Sequence, residues 1–114
     1  MPYIDISTNV ALNEEQLDNI KHLCGRAISL IPGKSEQYLM VKITDKSNLW
    51  FQGDDSAAAM VEISLFGKAS REEDCESLTK EICGILEREA DISPQRTYVK
   101  YQFIDTWGYN KFLF

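Results

Sequence analysis

The order of elements along the 114 residues predicts an α+β domain: two β-α-β units in tandem, giving a four-stranded mixed sheet with both helices on one face. Three observations predict it. Stretches that alternate apolar and polar residues flank two stretches whose apolar residues recur at helical spacing. Each helical stretch is long enough to cross over between parallel strands by the right-handed connection such units adopt. The second half repeats the plan of the first, at about 1–56 and 57–114. Tyr38 and Tyr98 take matching places, at an offset of 98 − 38 = 60 residues.

The first strand reads Tyr3–Thr8, with Ile4 and Ile6 on its apolar side. After a linker, Asn13 to Gln16 has the form of a capping box. Leu17, Ile20, Leu23, Cys24, Ala27, Ile28 and Ile31 then make one helical face, and Pro32-Gly33 stops it. Tyr38–Ile43 reads as a strand, Asp45–Asn48 as a turn, Leu49–Gln52 as a short strand and Gly53–Ser56 as a loop. Met60–Phe66 is the next strand, with Val61, Ile63 and Leu65 on one side. Ser70 to Glu73 has the spacing of a second capping box, and Leu78, Ile82, Ile85 and Leu86 form the second helical stripe. Thr97–Phe103 is a strand, and Gly108 breaks the aromatic tail from Trp107 to Phe114 into a hairpin.

Composition narrows the function. The length supports one hydrophobic core, hence a single domain over 1–114. Lys plus Arg is 12 against 18 Asp plus Glu, a net charge of −6, which argues against binding a nucleic-acid backbone. No apolar run approaches the roughly 20 residues that span a bilayer. The first residues lack the basic and apolar segments of a signal peptide, so the expectation is a cytoplasmic protein with no membrane partner. Cys24, Cys75 and Cys83 are odd in number, lack CxxC spacing and fall in helical stretches, where a small buried hydrophobe is the ordinary role. His22 is the only histidine, so a His-rich metal site is impossible, and no metal or cofactor is expected. Two helices on one face leave the other face of the sheet uncovered. With Trp50, Phe51, Trp107, Phe112 and Phe114 to pair edges or fill an interface, such a domain is expected to oligomerise.

Several pieces then stand in a telling order: Pro2 directly after Met1, Thr8-Asn9-Val10, Gly33-Lys34 followed by Gln37-Tyr38, and Ser64 to Lys68. Cys83 to Leu86 and Ile92-Ser93-Pro94 with Arg96 and Tyr98 complete them. In these pieces the chain resembles the macrophage migration inhibitory factor family of the tautomerase superfamily, over nearly its full length. The resemblance implies a homotrimer whose three sheets form a central barrel, with an active site at each subunit interface. It implies removal of Met1, which leaves Pro2 as the N-terminal residue and the acid/base of a keto–enol tautomerase. Lys34 takes the position of the cation that contacts the substrate carboxylate. Leu65 and Phe66 stand at the pocket floor, Tyr38 on the pocket side, and Tyr98 and Lys100 come from the adjacent subunit. The implied substrate is a small aromatic keto or enol acid of the phenylpyruvate kind.

The chemistry is sound on its own terms. A tautomerase needs a base with a pKa near the working pH. A free α-amine titrates just above neutrality, and an apolar pocket lowers it further. A fixed cation eases the negative charge that gathers on an enolate oxygen. Plainer roles stand beside these. Pro2 can simply shape the start of a strand, Lys34 can be a solvated residue at a helix end, and the aromatic residues can be packing. The chain also departs from the family. Lys100 replaces a neutral amide, Tyr109 a frequent tryptophan, and the thiol segment of the cytokine members, here Ala58 to Val61, has no cysteine. A second role remains open on the same resemblance: a cytokine-like or host-mimic protein that binds a receptor, with a vestigial or secondary pocket, exported without a signal peptide.

Overall fold

In the computed structural model, which describes residues 1–114, the first unit runs β1 (Pro2–Thr8), α1 (Glu14–Ala27) and β2 (Met40–Thr44). The second runs β3 (Ala59–Phe66), α2 (Glu72–Ala90) and β4 (Thr97–Ile104). A small hairpin, β5 (Gly108–Tyr109) and β6 (Phe112–Leu113), closes the chain. The sheet order is β2-β1-β3-β4. β1 lies parallel to β2 and β3 parallel to β4, and the two units join through the antiparallel β1–β3 pair, Ile4 opposite Ile63. The expected four-stranded mixed sheet is therefore present, with the two helices side by side on it.

Alternation along the central strands separates two faces. On β1 and β3 every second residue is buried: Ile4 and Ile6, then Val61, Ile63 and Leu65. These meet Ile20 and Cys24 of α1 and Leu78, Ile82, Ile85 and Leu86 of α2, with Ile28, Ile31 and Ile92 filling the helix ends. Each such side chain contributes roughly 1.5–3 kcal/mol by leaving water. The opposite face carries a polar row. Register places Lys42, Asp5, Glu62 and Lys100 side by side across all four strands. Lys100 pairs with Glu62 at 2.8 Å, while Asp5 keeps one buried carboxylate oxygen without a hydrogen-bond partner.

Asn13 caps α1 as expected: its side chain accepts from the Gln16 N–H at 2.8 Å, and Gln16 accepts from the Asn13 N–H at 2.9 Å. Three local expectations are corrected. The second capping box does not form. α2 starts one residue later, behind Arg71, whose guanidinium grips Asp74 and Glu73 instead of an N–H being capped. Leu49–Gln52 is not a strand, because no other strand pairs with its backbone. Phe51 and Asp54 instead exchange backbone hydrogen bonds around Gln52 and Gly53, both with positive φ (54° and 84°), as a tight turn requires. Tyr38 precedes β2. It lies in a 3-10 turn, Glu36–Tyr38, whose counterpart in the second unit is Pro94–Arg96. The true offset is 94 − 36 = 58 residues, so Tyr38 matches Arg96, not Tyr98.

Candidate active site

A cavity of about 630 Å³ opens at the start of β1. Three segments enclose it: Met1, Pro2 and Tyr3; Gln37, Tyr38, Leu39 and Met40 on the approach to β2; and Trp107, Gly108 and Tyr109 of the C-terminal hairpin. Local geometry explains each wall. The 3-10 turn swings Tyr38 out of the sheet before β2 begins. The hairpin reverses over Asn110 and Lys111, both at positive φ (51° and 70°), the conformation of a type I′ turn. Its Tyr109 ring then meets Tyr38 edge to face at 5.9 Å. Phe114 likewise meets Phe66 at 6.1 Å, which ties the chain's last residue to the end of β3.

Charge at the site is concentrated beside the N-terminus. Gly33 takes φ +82°, and Lys34, donating its N–H to Ile31 at 3.0 Å, turns back along the sheet. Its ammonium donates to the Phe66 carbonyl at 2.7 Å. The Phe66 N–H donates to the Met1 carbonyl at 3.0 Å. One backbone junction thus holds both the start of the chain and the lysine. Burial, and after it the neighbouring Lys34 charge, pull the Met1 α-amine below its ordinary pKa. No three His, Cys, Asp or Glu side chains converge where they could hold a metal ion. No helix is long and apolar enough to cross a membrane.

The structure brings together Pro2, Tyr38, Lys34 and Phe66. Leu65 lies opposite Pro2 in register, but its side chain faces the helices and is buried in the core, so only its backbone adjoins the site. Tyr98 and Lys100 are elsewhere. Tyr98 pairs with Met60, and 65 − 60 = 5 residues of β3 separate that position from Pro2's partner, roughly 17 Å of strand. Within one protomer neither residue reaches the cavity. Sequence reasoning did not place Gln37, Met40, Trp107 and Tyr109 as walls. For Trp107 and Tyr109 the signal was an aromatic tail with a glycine break, which foretold a hairpin but not where it folds back.

A family model described as Macrophage migration inhibitory factor (MIF) matches residues 1–111. Macrophage migration inhibitory factor of Mus musculus is 27% identical over 104 residues, covering 89% of this chain and 86% of that protein. The protein of Meriones unguiculatus is 26% identical over 101 residues, with the same coverage. Among solved structures, Leishmania major MIF2 superposes with a TM-score of 0.92 at 26% identity, covering 100% of this chain and 97% of that one. A MIF-like protein from Entamoeba histolytica gives 0.87 at 23% identity, covering 99% and 98%.

Proposed function

The chain belongs to the macrophage migration inhibitory factor family, and on that premise we propose that it is a cofactor-independent keto–enol tautomerase of small aromatic keto or enol acids, working as a homotrimer. One observation carries this reading: Pro2 lines a largely apolar cavity walled by Tyr38, Trp107 and Tyr109, and the Lys34 ammonium, held on the Phe66 carbonyl, acts on the chain's N-terminal amine next to it. With Met1 removed, the Pro2 nitrogen is a secondary amine. Burial and Lys34 favour its neutral form, as they do for the amine of the unprocessed chain. In that form it takes a proton from the carbon next to the carbonyl and gives it to the enolate oxygen; the reverse path returns it from oxygen to carbon. Lys34 exchanges the Phe66 carbonyl for the substrate carboxylate and offsets the charge that grows on oxygen. The aromatic walls hold the ring of the acid and exclude water.

In the proposed trimer Tyr98 and Lys100 enter the cavity from another copy, since neither lines it within one protomer. Lys100 would arrive already paired with Glu62, so it adds less positive charge to the site than its type alone suggests. The three unpaired cysteines fit a reducing compartment such as the cytoplasm. The test compares phenylpyruvate turnover by the chain lacking Met1, by Pro2→Gly and by a form that keeps one residue ahead of Pro2. A positioned base contributes about 10²–10⁴-fold, so the extended form is expected to lose at least two orders of magnitude and Pro2→Gly somewhat less. Equal rates in all three would remove the chemistry from Pro2.

A further inference from the structure

The corner opposite the cavity is built around one side chain. The turn Pro94–Arg96 delivers Arg96 beneath residues 49–58, where its side chain is only 17% exposed. Nε donates to the Ala57 carbonyl at 3.0 Å. One terminal nitrogen reaches the carbonyls of Ser56 at 3.1 Å, Phe51 at 3.2 Å and Asp54 at 3.4 Å, and the Asp54 carboxylate at 2.8 Å. The Ala57 carbonyl has no other donor, while those of Phe51, Asp54 and Ser56 take a second one from Arg96 beside the loop's own N–H groups and the Asn9 amide, so one multi-donor group gathers the whole loop. A guanidinium fork suits that task, and a lysine ammonium, with three donors, does not.

The same guanidinium lies 5.2 Å from the centroid of the Phe51 ring. Phe51 in turn meets Tyr98 edge to face, with centroids 4.9 Å apart and planes at 84°. Tyr98 is 61% exposed on the outermost strand, and Phe51 is its one aromatic neighbour. A cavity of about 160 Å³, lined by Leu49, Trp50, Ala58 and Met60 among others, adjoins both rings. Without Phe51 the Tyr98 ring would have room to turn into it. We propose that Arg96 and Phe51 are positioning residues for Tyr98: the guanidinium sets the Phe51 ring, and that ring sets where Tyr98 stands when it covers an aromatic acid bound at the neighbouring subunit's Pro2. This rests on the tautomerase reading and adds to it two residues that touch no substrate.

Phe51→Leu and Arg96→Lys test it, each made alone and in a Tyr98→Ala background, with phenylpyruvate as substrate. Each alone is expected to raise KM about three- to tenfold while kcat stays within about twofold, the signature of a loosened binding wall. In the Tyr98→Ala background neither is expected to add anything. An unchanged KM, or effects that simply add to Tyr98→Ala, overturns the proposal, since a general structural role would act whether or not the tyrosine is present. A second readout does not need turnover. With 3-fluorotyrosine at all five tyrosines, the fluorine signal lost in Tyr98→Phe is expected to shift or broaden in Phe51→Leu and Arg96→Lys, while those of Tyr3 and Tyr38 hold. A Tyr98 signal that does not move overturns the positioning role. Absent turnover in the chain with free Pro2 overturns the tautomerase reading alone, and the fluorine signal still decides the positioning role.

Discussion

Each helix is followed by a 3-10 turn that feeds the next parallel strand, Glu36–Tyr38 before β2 and Pro94–Arg96 before β4. The backbone device is the same and the side chains are opposite. The first turn has no side-chain cap and buries nothing, and Tyr38 stands 51% exposed at the cavity. The second has Ser93 accepting from the Gln95 N–H at 3.1 Å, a proline at its first position, and Arg96 turned inward onto four carbonyls. A pseudo-symmetric frame thus carries one open corner and one fastened corner. The open corner faces the chain's own Pro2. The fastened one holds a loop and, through Phe51, the exposed Tyr98 ring on the outermost strand.

The strongest way to break this comparison is to cut both corners alike. Arg96→Ala leaves the Ala57 carbonyl without a donor and strips three further loop carbonyls of their second one, and is expected to cost about 1–3 kcal/mol. Tyr38→Ala removes an exposed ring and one edge contact, and is expected to cost less than about 1 kcal/mol. Thermal or urea unfolding measures both. Similar costs would mean that the two corners are not specialised.

Subunit mixing sharpens the claim that the second corner serves a neighbour. Pro2→Gly chains and Tyr98→Ala chains are each expected to be poor alone. In a cyclic trimer assembled from equal amounts of both, about one site in four draws its proline and its tyrosine from intact copies. About a quarter of the wild-type rate should therefore return on co-expression. No recovery would place Tyr98 outside the site.

The frame was legible in the sequence because periodicity reports burial directly. Ile4 and Ile6 alternate, Ile20 and Cys24 lie one turn apart, and each pattern admits one face only. The first capping box was legible for the same local reason. Ser70 misled because a cap is decided by where the helix starts, and α2 starts one residue later, behind Arg71. Leu49–Gln52 misled because strand propensity needs a paired strand, and within the chain none pairs with it. At the site, Pro2, Lys34 and Tyr38 were found through the family resemblance, and Lys34 sits where its charge acts on the N-terminus. Trp107 and Tyr109 were not placed, since which face a hairpin covers depends on long-range contacts such as Tyr38 on Tyr109. The role of Arg96 was hidden for the same reason: its acceptors lie some 40 residues away in the chain.

Lys34→Ala probes the open corner from its charged side. The amine must be neutral to act as base, so the low-pH limb of kcat/KM follows its pKa. Lys34 is, after burial, one of the influences lowering the Met1 α-amine, and the same influence is expected on the Pro2 amine that replaces it. Removing it raises the pKa and moves that limb to higher pH, while the lost carboxylate anchor lowers kcat/KM at neutral pH by about 10–100-fold. A pH–rate profile checks both. A limb that stays in place would show that burial alone tunes the amine.

The smallest effect tests what seats the open corner, since no clamp like Arg96 is present there. Glu36 begins the first turn and lays its side chain against Gly25 in the last turn of α1. A Cβ at position 25 would fall on the Glu36 carboxylate, 2.6 Å from Cδ and 3.1 Å from Cγ. Gly25→Ala therefore sets two effects against each other. Alanine gains up to about 0.5–1 kcal/mol over glycine in a helix, less in its last turn. Glu36 is exposed and flexible, so it swings aside at little cost, and the net stability change is expected to be zero to slightly favourable. Swinging aside unseats the turn that carries Gln37 and Tyr38. KM for phenylpyruvate is then expected to rise about two- to fivefold with kcat unchanged, because a lining is displaced and the base is not. Unfolding and steady-state kinetics on this one variant separate the two effects. A gain in stability with KM unmoved would mean that the open corner is held by the Tyr38–Tyr109 contact instead, and that the hairpin, not the helix, sets the width of the cavity.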